Sequence, residues 1–431
     1  VANIGNFTAG GNFVLNDAAP TLGIAGTVSG SSVILTNPGG IVFAAGARIS
    51  APLGTVQLDA ASGSINASLG TIDAGTLSGS AVSALFTGLN HVASLGSFAV
   101  GSGLVLFDAQ PLGVTGAVSA ATVSLVTDAL ALSPGGTITA ATFELAPLTP
   151  GGAMTLGGAG SSLASLAGIS ASSYRLGAVS PPGAGSPRAG SISVVAAFDA
   201  QNHPLELDAI GTIQNAGGAL VNVATLTGQA ASVALANPAN SIANLGTFTA
   251  GSFLLNNAGA LSVTGALSAA SISLSAASLL IPGTISDGGA GTVSLVATAG
   301  GISEAGSLIA GTLSGSAAGG ASFTGANSIA RLGSFTAAAL TLVDGAPLTL
   351  VGSVTAASLD LRAAGLILTG ILSDGGAGTT RLTSTGAIAA SGSLIAGTLT
   401  GSASLDASFT GSNGVANIGN FTAGGNFVLN D

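Results

Sequence analysis

The chain has 431 residues, of which 16 are acidic and 6 basic, a net charge of -10 with only 5% charged side chains, where an ordinary soluble domain carries roughly 25%. All the basic residues are arginine and they are scattered, which excludes a phosphate-neutralising patch and so a nucleic-acid partner. The absence of cysteine excludes disulfides, thiolate metal sites and a thiol nucleophile. Mean hydropathy is +0.73, yet Gly, Ser, Thr or Asn interrupts every apolar run before the roughly 18 residues of a spanning helix, so no membrane span is expected. Abundant Val, Ile and Leu argue against disorder, and the 69 glycines keep no collagen period.

Read from the N-terminus, the chain is a series of tandem repeats. Val1-Ala-Asn-Ile-Gly-Asn-Phe-Thr-Ala9 returns loosely from Val92 to Val100, then as Ile242-Ala-Asn-Leu-Gly-Thr-Phe-Thr-Ala250 and Ile329-Ala-Arg-Leu-Gly-Ser-Phe-Thr-Ala337. The phenylalanines Phe7, Phe98, Phe248, Phe335 and Phe421 mark the phase at spacings of 91, 150, 87 and 86 residues. Gly306-Ser-Leu-Ile-Ala-Gly-Thr-Leu313 recurs from Gly392 to Leu399, and Ser286-Asp-Gly-Gly-Ala-Gly291 from Ser373 to Gly378. The expected units are therefore 1–90, 91–240, 241–327 and 328–414. Residues 415–431 begin a further block: Val415 to Asp431 repeats Val1 to Asp17 without a change, at an offset of 414. The expectation is a window on a longer array of such blocks.

Within each unit, short stretches such as Leu261-Ser-Val-Thr-Gly-Ala-Leu-Ser-Ala269 alternate apolar and small polar residues, the period-two pattern of half-buried strands. Gly, Asn, Asp and Pro punctuate them every few residues. Strands this short are unstable alone, but stacked coil on coil they share hydrogen bonds and one continuous core. The fold class expected is all-β, a parallel β-helix (β-solenoid) of tandem units of about 87 residues, each holding four or five coils of roughly 18 to 22 residues. Low charge follows from the stack, since like charges about 4.8 Å apart in successive coils repel by roughly 0.9 kcal/mol even in water. The recurrent corner position Asp17, Asp108, Asn257, Asp344 and Asp431 suits side chains that bond their own turn backbone.

The second unit carries an irregular, Pro-containing insertion near 148–210, with Pro147, Pro150, Pro181, Pro182 and Pro187 and the chain's single Met154 and Tyr174. Its bland interpretation is a few irregular coils, with Ser191 to Phe198 returning to the stack. Its functional interpretation is a protrusion that touches a partner through Tyr174, Arg175, Arg188 and His203.

The Phe-Thr-Ala-Gly-x-Phe type strand (Phe7 to Phe13, Phe248 to Phe253), the Leu-x-Val-Thr-Gly-x-Leu-Ser-Ala strand (Leu261 to Ala269) and Thr312-Leu-Ser-Gly-Ser316 resemble the repetitive shaft of filamentous-haemagglutinin-type exoproteins and other large β-strand-repeat surface adhesins of Gram-negative bacteria. The likeness runs through nearly the whole chain. It implies a right-handed β-helix that is secreted and displayed at the bacterial cell surface.

Reactive constellations are sparse. His91 and His203 are far apart and suit turns better than catalysis. Asp287-Gly-Gly-Ala-Gly291 is similar to a calcium-binding nonapeptide repeat, but Thr292 stands where the ligating aspartate belongs. Glu206 and Asp208, alternate residues of one strand, are the nearest thing to the paired carboxylates of a polysaccharide-processing enzyme. Thr137-Ile-Thr139 is a single Thr-x-Thr step of the kind that ice-binding faces repeat. No catalytic, cofactor or metal site is therefore expected. The function expected is the structural shaft of a long extracellular fibre, an adhesin stalk or biofilm-matrix filament with itself as partner, laterally or end to end. The rival is a carbohydrate- or host-receptor-binding adhesin acting through 148–210.

Overall fold

The structure, a computed structural model, describes residues 1–180 and 187–431. Pro181, Pro182 and the rest of 181–186 in the expected insertion lie outside the described residues. Strand makes up 66% of the chain and no helix occurs among the described residues. The strands pair in parallel and wind into a β-solenoid of about 21 turns. The chain divides into two compact units, Val1–Asn222 and Val223–Asp431.

In the second unit, Phe248 pairs with Leu267, Leu267 with Ile285 and Ile285 with Leu308, one residue per coil, and all four are buried. The alternating pattern seen in the sequence places such residues inside and Ser or Thr outside. Each buried Leu, Ile or Val contributes roughly 1.5–3 kcal/mol relative to exposure, but only because the next coil covers it. In the first unit the equivalent inward column is Phe98, Val118, Ile138 and Ile169. Where charged side chains stack, they alternate in sign: Asp360 pairs with Arg381, and Glu144 with Arg175 and then Glu206.

The phase-marking phenylalanines have a structural cause. Phe248, Phe335 and Phe421 sit on Gly228, Gly315 and Gly401 of the coil below, each just past a shift in strand register. These glycines have φ of 146°, 154° and 145°, a region that side-chain-bearing residues avoid. A Cβ on Gly315 would meet the Leu295 carbonyl oxygen at 1.9 Å, and one on Gly401 that of Leu382 at 1.8 Å. Each ring thus follows, in its column, a position where the backbone of the preceding coil leaves no room for a side chain. Phe335 also packs edge-on against Phe323, with centroids 5.7 Å apart, as Phe98 does against Phe86 at 5.9 Å.

Corners are closed by side-chain amides. Asn90 Oδ1 accepts the Ile72 N–H at 2.8 Å, while its Nδ2 donates to the carbonyls of Phe86, Gly88 and Phe107. Asn413 repeats this with Leu394 N–H and the carbonyls of Phe409, Gly411 and Asn430. One coil on, Asp108, Asn257, Asp344 and Asp431 accept the amides of Val92, Ile242, Ile329 and Val415. The expected bond to the local turn is present at Asp344, which accepts Ala346 N–H at 2.9 Å. The clasp to a strand fifteen or sixteen residues back is an additional partner that a local reading does not see. Buried backbone donors at corners need such partners, because leaving one unpaired costs about 1–3 kcal/mol.

Candidate functional site

The insertion is built of irregular coils. Regular coils advance by about twenty residues, as from Gly401 to Phe421, but Thr142 pairs with Ser173 and Tyr174 with Leu205, and Ala153 with Ser191. Ser191–Val194 does rejoin the stack, and Phe198 opens the next strand, Phe198–Asp208.

Because the long coils are equal in length, Glu144, Arg175 and Glu206 fall in one outward column, with Ser124 below Glu144. Arg175 Nε donates to Asp208 Oδ2 at 2.8 Å and lies 3.4 Å from Glu206 Oε1; its Nη1 donates to Ser180 Oγ at 2.6 Å and is 3.8 Å from Glu144 Oε1. Glu144 Oε2 accepts the Ser124 hydroxyl at 2.7 Å and the Ser180 N–H at 2.9 Å. Asp208 is fully buried, and its Oδ1 has no partner among the described residues. Burial works against the Arg175 charge, but the bond to Asp208 and the fields of Glu206 and Asp208 outweigh it and hold the guanidinium above its ordinary value. Burial, then repulsion from Asp208, pushes the Glu206 carboxyl up, against the pull of Arg175.

Chemically, this arrangement is a tie. The guanidinium is held through Nε and Nη1 by this chain's own oxygens. It joins three coils and holds Ser180 to them. Paired carboxylates that hydrolyse glycosidic bonds face each other across open space; here Arg175 stands between Glu144 and the Glu206–Asp208 pair.

The other sequence candidates are dispersed. Tyr174 is buried, donates its hydroxyl to the Ile169 carbonyl at 3.0 Å and meets Phe143 and His203 edge-on. His203 is half-buried in a shallow cleft with Thr137, Thr139, Ser170 and Gln201. Asp199 Oδ1 steadies the left-handed backbone there, accepting Gln201 N–H at 2.7 Å and the Asn222 amide at 3.1 Å. Arg188 reaches the Ala209 carbonyl at 3.5 Å. Thr137 and Thr139 are exposed, but Ala117 and Ser119 precede them in the column, so no threonine row forms. His91 is exposed beside Asp108. Asp287 turns its Oδ1 to the amides of Gly289 and Gly311, and Asp374 likewise to Gly376 and Gly397. These carboxylates staple backbone. No group of three or more His, Cys, Asp or Glu side chains poised to hold a metal ion occurs among the described residues.

Beside the tie runs a groove of about 480 Å³ on the outer face of the first unit, floored by Leu85 and Val105 and edged by Ser83, Ser102, Ser124 and Glu144. Glu144, Ser124 and Ser180 escaped the sequence reading because these coils are longer than the regular ones; the even spacing of Glu144, Arg175 and Glu206 is the signal that could have revealed it. No protein-family model, curated protein or solved structure matches the chain.

Proposed function

We propose that this chain is part of the structural shaft of a long extracellular bacterial fibre, a surface-adhesin stalk or matrix filament. Its work is reach, rigidity and lateral association, without catalysis or cofactor. The observation that carries this reading is recurrence: the glycine–phenylalanine seat and the corner clasp return along the chain with the same partners, and such a stack has no intrinsic stopping length. The carboxylates that face chemistry-bearing neighbours are committed to backbone amides or to arginine. Net charge is low for the length, so parallel fibres would repel one another weakly. The resemblance to haemagglutinin-type shafts points to the cell surface, with the chain itself as principal partner and nucleic acid excluded by charge. The test is electron microscopy of producing cells with antibody to this chain. Filaments labelled along their length are expected; labelled cells without filaments overturn the reading.

A second reading is an adhesin that holds a surface carbohydrate or host receptor through the 148–210 segment, of which Ser180 lines the groove beside Glu144. Its volume is within the range of small-ligand sites, and its hydroxyl edges suit sugar hydroxyls. Attachment that is unchanged after deletion of 148–210 disposes of it.

A further inference from the structure

The groove beside Glu144 is lined by groups that accept hydrogen bonds and have few protons left to give. Ser83 Oγ donates to Ser64 Oγ at 2.8 Å, Ser102 Oγ to the Val82 carbonyl at 2.9 Å and Ser124 Oγ to Glu144 Oε2 at 2.7 Å. Their oxygens keep lone pairs for a donor from outside. Glu144 lines the groove although it is only 4% exposed, and its Oε1 accepts no hydrogen bond among the described residues. Arg175 Nη1 stands 3.8 Å from that oxygen but donates to Ser180 instead.

Charge beside the groove is out of balance. Glu144, Glu206 and Asp208 all share Arg175, and Asp208 is fully buried with its Oδ1 unpartnered among the described residues. A carboxylate withdrawn from water needs a matched cation or donor, and one guanidinium balances only one of the three. The floor, by contrast, is aliphatic: Leu85 and Val105 pair in adjacent coils. Gly103 precedes Val105 by two residues on the same strand and so faces the same side. It leaves the groove open there, since nothing lies within 4 Å of its Cβ position.

We propose that this groove binds a sugar carrying a free amino group, with its ammonium against Glu144 Oε1, its hydroxyls on Ser83 and Ser102 and the apolar face of its ring on Leu85 and Val105. The inference rests on the second reading above and gives that reading a ligand class. The lining discriminates in several ways. An ammonium brings both donors and the missing positive charge, and its bond to a carboxylate is of the stronger, charge-assisted kind. A neutral or N-acetylated sugar leaves Glu144 Oε1 without a charged partner. A uronic acid adds a further carboxylate to a negative site and is repelled. A bare polyamine supplies charge but leaves the serine oxygens and the aliphatic floor unmatched.

Calorimetric titration of the whole chain with short oligosaccharides tests this. Glucosamine oligomers are expected to bind at least about tenfold more tightly than their N-acetylated and glucose counterparts, the factor that one charge-assisted hydrogen bond supplies, and glucuronate oligomers not at all. Glu144→Gln keeps the shape, removes the charge and is expected to erase the preference for the free amine. Because Glu144 also holds Ser124 and Ser180, Gly103→Phe is the second variant. It fills the groove where a side chain meets nothing and is expected to abolish binding at an unchanged melting temperature. Equal affinity for glucose and glucosamine oligomers, or binding that survives G103F, overturns the proposal, as does spermidine binding as tightly as the amino sugar. Failure of glucosamine oligomers to bind while attachment still depends on 148–210 sinks the ligand class and leaves the adhesin reading standing. Binding with attachment unchanged by deletion of 148–210 does the reverse.

Discussion

Phe335 stands directly over Gly315, and the glycine has to lack a side chain because a Cβ there would run into the Leu295 carbonyl of the preceding coil. Gly315→Ala sets a Cβ against the Leu295 carbonyl at a φ of 154°. Backbone strain and overpacking together are expected to cost roughly 2–4 kcal/mol. Gly259→Ala is the control, because nothing lies within 4 Å of its Cβ position. Chemical denaturation of both variants measures the difference, and equal midpoints would contradict the packing described.

Asp108 and Asn257 occupy the same corner, yet only the asparagine uses both ends of its side chain. Asn257 Nδ2 donates to the carbonyls of Ile242, Gly259 and Ala260, while Asp108 Oδ2 is buried without a partner among the described residues. Burial pushes the Asp108 carboxyl up to about 6, against the amides of Val92 and Gln110 and the nearby His91. Because the folded value lies above the unfolded one near 3.9, the folded state holds its proton longer. Stability is then greatest below that unfolded value and falls as pH rises through about 6. Asp108→Asn carries no such penalty. Its stability relative to the parent is expected to rise between pH 4 and pH 7 by on the order of 2 kcal/mol, read from melting curves across that range. A difference that stays flat with pH would refute the assignment.

Glu304 is a buried carboxylate at a place where the sister repeat has Ala390. Its Oε2 accepts Gly325 N–H and the Asn327 amide, and its Oε1 has no partner among the described residues. In Glu304→Ala, Asn327 is free to donate to the Phe323 and Gly325 carbonyls, as Asn413 does to Phe409 and Gly411. Stability within about 1 kcal/mol of the parent, or above it, is expected. A loss larger than about 3 kcal/mol, as for breaking a buried pair, would show that the carboxylate is needed.

Trypsin has six arginines to cut. Arg48, Arg175, Arg331, Arg362 and Arg381 lie within strands, whereas Arg188 lies outside them. Cleavage needs an extended, detachable backbone, so the first fragments in a limited digest should end at Arg188. Early cutting at Arg331 or Arg362 would place the weakest point elsewhere.

The sequence made the parallel stack legible because one periodicity, apolar residues inward at Leu267, Ile285 and Leu308, repeats from coil to coil in the second unit, and because Phe335 and Phe421 fall in phase. It showed Asp344 as a turn former but not its reach back to Ile329, since contacts between coils are invisible to a reading of neighbours in sequence. The Arg175 tie was hidden for a related cause. Glu206 and Asp208 are close in sequence, but Glu144 joins them only once the length of the irregular coils is known. Tyr174, conspicuous for its rarity, is a core residue whose hydroxyl is satisfied by the adjacent backbone.

In these ladders the backbone hydrogen bonds run from one coil to the next, so tension applied across coils loads them a rung at a time. A coil of twenty residues, as from Gly401 to Phe421, releases roughly 70 Å of slack when it peels away. A load that would snap a stiff rod at its weakest section is here dissipated in many small yielding events, and each detached coil keeps the sequence needed to wind back.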